Sequence, residues 1–137
     1  MNLYYKIKNK LLYDVDCLRA RWQRFRRGYA YGDIWDMDWW FIRTIKPMLV
    51  HLRDYGIGVP NDLYLEGHDN EREAWEAVLT EMIECLELMD KDNVEKYLGI
   101  MDDDYSVESY KKVTDCMYEK KSRFFELFSK YFYALWD

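Results

Sequence analysis

Leu3-Tyr-Tyr-Lys-Ile-Lys-Asn-Lys-Leu-Leu-Tyr-Asp-Val-Asp-Cys-Leu-Arg-Ala-Arg-Trp-Gln-Arg-Phe-Arg-Arg27 is the stretch whose reading decides the fold class. At about 100° per residue, Tyr4, Ile7, Leu11, Val15, Leu18, Trp22 and Phe25 fall on one narrow stripe. Lys6, Lys10, Arg21 and Arg24 fall on the other side. A strand would alternate every second residue, and this segment does not. The pattern predicts a helix over 3–27 that stops at Gly28, followed by a Tyr-Ala-Tyr-Gly loop.

The same period recurs along the chain. A second helix is expected from about Asp33, as N-cap, to Tyr55, with Asp36 at the positive end of its dipole. Its stripe is Ile34, Met37, Phe41, Ile45, Met48 and Leu52, and Pro47 predicts a kink or break near Lys46. Residues 56–70 hold three of the six glycines and one of the two prolines, which predicts a long loop. Leu63-Tyr64-Leu65 within it reads as a short extended excursion. A third helix is expected over about Glu71 to Met89, with Trp75, Val78, Leu79, Met82, Leu86 and Met89 inward. A short helical turn is expected at Val94 to Leu98. The last helix starts near Ser106 and carries the stripe Tyr110, Val113, Met117, Phe124, Phe128, Tyr131 and Leu135. A second row beside it, Tyr118, Phe125, Phe132 and Trp136, widens the apolar arc to about 140°. That excess suggests a homodimer interface.

The expected fold is therefore an all-α bundle of about four main helices, with a kinked second helix and a long loop near 56–70. The 137 residues suit a single helical domain spanning 1–137. Half of the residues are apolar and 18% are aromatic, which rules out a disordered chain. The three cysteines, Cys17, Cys85 and Cys116, form no CxxC pair and no disulfide ladder, so a reducing, cytoplasmic setting is expected. No apolar run approaches the ~20 residues of a membrane span, and neither a membrane partner nor an export signal is expected.

Charge is unevenly placed. Residues 1–27 carry eight basic and two acidic side chains, whereas 56–104 carry three and fifteen. The basic stripe Lys6, Lys10, Arg21 and Arg24 is the kind of surface that binds phosphate, so nucleic acid or a nucleotide is one candidate partner. The net charge of −6 and the lack of a nucleic-acid motif weigh against it. Glu73, Glu76, Glu84 and Glu87 form a glutamate stripe on the third helix. Paired ExxE motifs resemble those of the all-α nucleotide pyrophosphohydrolases, which hold Mg²⁺ with such carboxylates. Here the stripe lies opposite Trp75, Leu79, Met82 and Leu86, so it faces out, and a bundle metal site needs inward carboxylates. Asp102-Asp103-Asp104 lacks EF-hand spacing, and His51 and His68 have no partners at ligand spacing. With no phosphate-binding glycine motif either, no cofactor and no catalytic residue is expected, and an enzyme is the less favoured reading.

The candidate binding surface is Gly32-Asp33-Ile34-Trp35-Asp36-Met37-Asp38-Trp39-Trp40-Phe41. Asp36 and Asp38 are about 200° apart on a helix and cannot share one metal. Trp35, Trp39 and Trp40 cannot all point inward, and Tyr and Trp offer rigid contact area with a polar tip. Tyr31, Trp35, Asp36, Asp38 and Trp39 are therefore the expected partner-binding residues, with Tyr29 extending the patch.

The run Arg27 to Trp40, with Asp33, Trp35 and Asp38 in the order D-x-W-x-x-D, leads into an apolar helix to Leu52. Gly56 to Pro60 and Glu73-Ala74-Trp75 with Leu79, Met82 and Ile83 follow. Together these features resemble a family of small tailed-bacteriophage and prophage proteins. The match covers about 27–89 and departs from the family at Trp39 and Trp40, where smaller or aliphatic residues are usual. No activity is established for that family, so no functional residue carries over. The resemblance implies a phage-type accessory protein that binds a host or phage component in the cytoplasm of an infected bacterium. Such proteins include antagonists of host defence, acting on a host protein or a nucleotide signal.

Overall fold

A computed structural model describes residues 3–67, 69–100 and 106–136, with side chains described at Lys10 and from Tyr13 onward. Among the described residues there is no strand, and the fold is all-α. The described residues form six α-helices: α1 (Leu3–Arg27), α2 (Met37–Tyr55), α3 (Asn61–Leu65), α4 (Glu71–Glu87), α5 (Lys91–Leu98) and α6 (Val107–Lys130). Two short 3₁₀ turns, Tyr31–Ile34 and Phe132–Ala134, complete the order. The four long helices are the four expected main ones, and no described helix is long and apolar enough to cross a membrane. His68 and Asp102-Asp103-Asp104 lie outside the described residues.

Three expectations about local structure are corrected. Asp33 is not the N-cap of α2; it sits in the first 3₁₀ turn, and α2 begins at Met37. Asp36 precedes that helix, its backbone carbonyl accepting from the Trp40 N–H at 3.0 Å. Second, of the kink or break expected near Lys46, the break does not occur, and α2 continues through Pro47 to Tyr55. Proline removes one hydrogen bond from a helix of nineteen residues, and the remaining ladder holds it. Third, the 56–70 segment is not one loop with an extended excursion. Leu63, fully buried, draws Asn61–Leu65 into a turn of helix behind Pro60.

By internal contacts the chain falls into two compact units, residues 1–43 and 44–137, with the boundary inside α2. Periodicity along a continuous helix carries no mark of such a boundary. In the first unit, α1 stops where Gly28 takes a φ of +79°, its N–H donating to the Arg24 carbonyl at 2.8 Å. The loop then folds back along α1.

In the second unit α4 is the central element. Trp75, Leu79, Met82 and Leu86 are fully buried, as their spacing predicts. Leu49 and Leu52 of α2, Leu63 of α3, Val94 of α5, and Val113, Phe124 and Leu127 of α6 are buried as well, and α6 and α3 pack against α4. The Trp75 ring meets that of Tyr131 edge-on at 5.3 Å. Met48, expected in the stripe of α2, is exposed, and Leu49 replaces it inside. Caps follow local chemistry: the side chains of Asn70, Asp90 and Ser106 accept backbone N–H bonds at the starts of α4, α5 and α6.

Arg72 ties the end of α2 to the start of α4. Its guanidinium donates to the Gly56 carbonyl, to the Arg53 carbonyl at 2.9 Å, and to Glu76 at 2.6 Å. Those carbonyls end a helix and lack intrahelical partners. We expect Arg72→Ala to cost about 1–3 kcal/mol in denaturant unfolding, as for a lost charged hydrogen-bond group. Arg72→Lys would recover little, because an ammonium cannot span three acceptors in one plane. Full rescue by lysine would show that charge alone matters there.

Candidate functional site

The expected binding residues lie in the first unit, on the segment between α1 and the first turn of α2. Tyr31 opens the 3₁₀ turn, Trp35 and Asp36 follow it, and Asp38 and Trp39 are in the first turn of α2. All five are exposed, with Trp35 at 89%, Tyr31 at 60% and Trp39 at 44%. Ile34 and Met37, expected in the α2 stripe, are exposed beside them. Trp40 is half-buried and donates its indole N–H to the Gly28 carbonyl at 3.3 Å. Of the three tryptophans, one is therefore anchored and two are displayed.

A buried clamp holds this segment. Asp33 is 5% exposed. It accepts from Arg24 Nε at 2.9 Å and Nη2 at 2.6 Å, a bidentate pair, and from the Ala30 N–H at 2.8 Å. The Arg43 guanidinium stands 3.7 Å away. The Arg24 hydrogen bonds and the Ala30 N–H outweigh desolvation and hold the Asp33 carboxyl at about 2. Around the clamp, Gln23 accepts from the Tyr31 N–H at 2.9 Å. The Arg27 guanidinium lies 5.1 Å from the Tyr29 ring centre and 4.5 Å from that of Tyr31. The turn is thus fixed from the polar side of α1.

The clamp is the feature that the sequence did not reveal. Its one signal is that Gln23, Arg24 and Arg27 lie opposite the apolar stripe, ten or fewer residues before Asp33. The basic stripe is changed by it. Arg24 is committed to Asp33, so it is not a free phosphate ligand. Lys10 and Arg21 are exposed, and the Lys6 side chain lies outside the described residues. The apolar stripe of α1 is also not where a core stripe would be: Val15, Leu18, Trp22 and Phe25 are all exposed.

The glutamate stripe faces outward in the second unit. Glu76 pairs with Arg72 at 2.6 Å and Glu87 with Lys46 at 2.7 Å, while Glu73 and Glu84 are exposed. Glu84 and Glu87 line an open groove with Glu81, Cys85, Lys120 and Arg123. Arg123 binds Glu81 through two nitrogens, at 2.6 and 3.1 Å, and Glu126 at 3.0 Å. Among the described residues no group of three or more His, Cys, Asp or Glu side chains is placed to hold a metal ion. Burial pushes the Cys85 thiol up, which keeps it protonated and weakly nucleophilic. The ring of His51 packs on Tyr55 at 5.1 Å.

Comparison with protein-family models, curated proteins and solved structures finds no match to this chain. The geometry is therefore the basis for a functional reading.

Proposed function

We propose that this is a small phage-type accessory protein that works by binding, without catalytic turnover. The binding surface is Tyr31, Trp35, Asp36, Asp38 and Trp39, and the occupant is a host or phage protein. The observation that carries this reading is the 89% exposure of Trp35 on a segment clamped from beneath by the pairing of Arg24 with the buried Asp33. An indole left in water on a rigid backbone loses little conformational entropy when a partner covers it. Aromatic anchors of this kind commonly contribute 2 kcal/mol or more, roughly, to an interface. Asp36 and Asp38 add an acidic rim, which favours a partner with basic residues around an apolar pocket. Given the resemblance to phage proteins, we infer antagonism of a host defence component as the role. Binding of nucleic acid through α1 is the weaker reading, because Arg24 is already engaged.

The test is affinity capture from nuclease-treated bacterial lysate, with the wild type and Trp35→Ala/Trp39→Ala side by side. A defined protein retained by the wild type should fall at least ~30-fold in the double variant, the equivalent of about 2 kcal/mol. The far-UV spectrum should be unchanged, since both side chains are exposed. Undiminished capture by the double variant would sink the proposal, as would loss of capture together with loss of helix. Recovery of nucleic acid alone would favour the weaker reading.

A further inference from the structure

Helix α1 uses its polar side for its own fold and leaves its apolar side open. Gln23, Arg24 and Arg27 engage the following loop. On the opposite side Val15, Leu18, Trp22 and Phe25 are 59–81% exposed, and the Trp22 and Phe25 rings stack at 5.8 Å. Their spacing is three, four, three, and Leu11 continues it in the sequence. That is a heptad seam, narrower than the arc that a helix lying on a lipid surface presents. Arg24 and Arg27, which an anionic surface would recruit, are already held by Asp33 and by the Tyr29 and Tyr31 rings.

We propose that a second copy of this chain covers the seam, with the two α1 helices antiparallel. The orientation follows from the charges at its edges. Asp14 and Arg21 flank the seam on one edge, Arg19 and Arg26 on the other, and all four are exposed. In a parallel pair, opposite edges meet: Asp14 would face Arg19 of the second copy, but Arg21 would face Arg26. In an antiparallel pair, like edges meet. With Val15 layered on Leu18 of the second copy, Asp14 faces Arg21, and two-fold symmetry repeats that pair. Arg19 and Arg26 then oppose the positions of Leu12 and Tyr5, and the layer of Phe25 falls on position 8, a lysine in the sequence. The row on α6 is a poorer seam. Tyr118, Phe125 and Phe132 recur every seven residues, with only Lys121 and Ser122 at the intermediate positions of the first interval and the half-buried Phe128 in the second. Because α1 carries the aromatic turn on its other side, the dimer displays two copies of it, which permits bivalent capture of an oligomeric partner.

The test is the mass of the purified chain by light scattering from about 10 μM to 1 mM, a range suited to a short seam. The chain of 16.9 kDa should approach twice that mass at the upper end. Leu18→Arg should abolish the dimer without changing the helical spectrum, because Leu18 is exposed in the single chain. Asp14→Arg and Arg21→Asp should each weaken the dimer about tenfold, since each turns two attractions into repulsions. Asp14→Arg/Arg21→Asp together should return it to within about threefold of the wild type. A parallel pair gives a different result: there Arg21→Asp alone strengthens the dimer. A monomer at 1 mM, a dimer indifferent to Leu18→Arg, or a dimer strengthened by Arg21→Asp would each overturn the proposal. So would a monomer that instead sediments with vesicles of equal parts phosphatidylserine and phosphatidylcholine. None of these measurements needs the captured partner, so they stand or fall apart from the proposed function.

Discussion

Asp33→Ala should release the aromatic turn from α1 and cost about 2 kcal/mol of local stability. The substitution removes the acceptor of three hydrogen bonds, two from Arg24 and one from the Ala30 N–H. It also leaves Arg24 and Arg43 facing each other's charge without a carboxylate between them. Arg24 is about half exposed and can turn to water, which keeps the cost below that of a fully buried pair. Amide exchange reads the effect directly: protection at Ala30 and Tyr31 should fall roughly 30-fold, while the amides of α4 are unchanged. Partner capture should fall with it, because Tyr31 and Trp35 ride on the released turn. Unaltered protection at Ala30 would show that the clamp does not hold the segment.

The same residue sets an acid limit. Its folded carboxyl lies at about 2, below the ordinary 3.8, so folding favours the ionised form. Its contribution is fully present above pH 3.8 and is lost as pH falls toward 2. Tryptophan fluorescence from the Trp35–Trp40 region should therefore change between those values in the wild type. Asp33→Asn, which keeps the Ala30 bond but has no carboxyl to titrate, should lack that step.

Trp75→Ala should be the most damaging change in the second unit. The ring is fully buried against Tyr131 and within the layer of Leu79, Met82 and Leu86. Emptying such a site costs about 3–5 kcal/mol, because neighbouring helices close the cavity only in part. A domain has roughly 5–15 kcal/mol in total. The thermal midpoint should drop on the order of 15 °C or more. Trp75→Phe should be much milder. It keeps most of the apolar contact and removes an indole N–H that has no acceptor among the described residues. A midpoint shift under ~5 °C for the alanine variant would show that Trp75 is not the keystone of this core.

Several elements were legible in the sequence because their physics is local. The run Leu3–Arg27 has a helical period, and α1 has those bounds. The last helix is expected to start near Ser106, and the Ser106 side chain caps it by accepting from the Ser109 N–H. Trp75, Leu79, Met82 and Leu86 are inward because every third or fourth position of α4 faces one way. That Trp35, Trp39 and Trp40 could not all point inward also followed from simple geometry. The Asp33 clamp was not legible. A carboxylate before a helix looks like an N-cap, and only the return of the loop along α1 brings Arg24 to it.

Periodicity thus determined by itself that the chain is helical, where the long helices run and which face of each is apolar. It could not determine what each apolar face meets. The stripe of α4 is buried, with α6 and α3 against the helix, whereas an equally regular stripe on α1 is exposed. Both stripes satisfy the same local rule, and burial depends on neighbours distant in sequence. Only the tertiary structure decided that the polar side of α1 holds the loop that follows it, while Val15, Leu18, Trp22 and Phe25 on its apolar side are exposed.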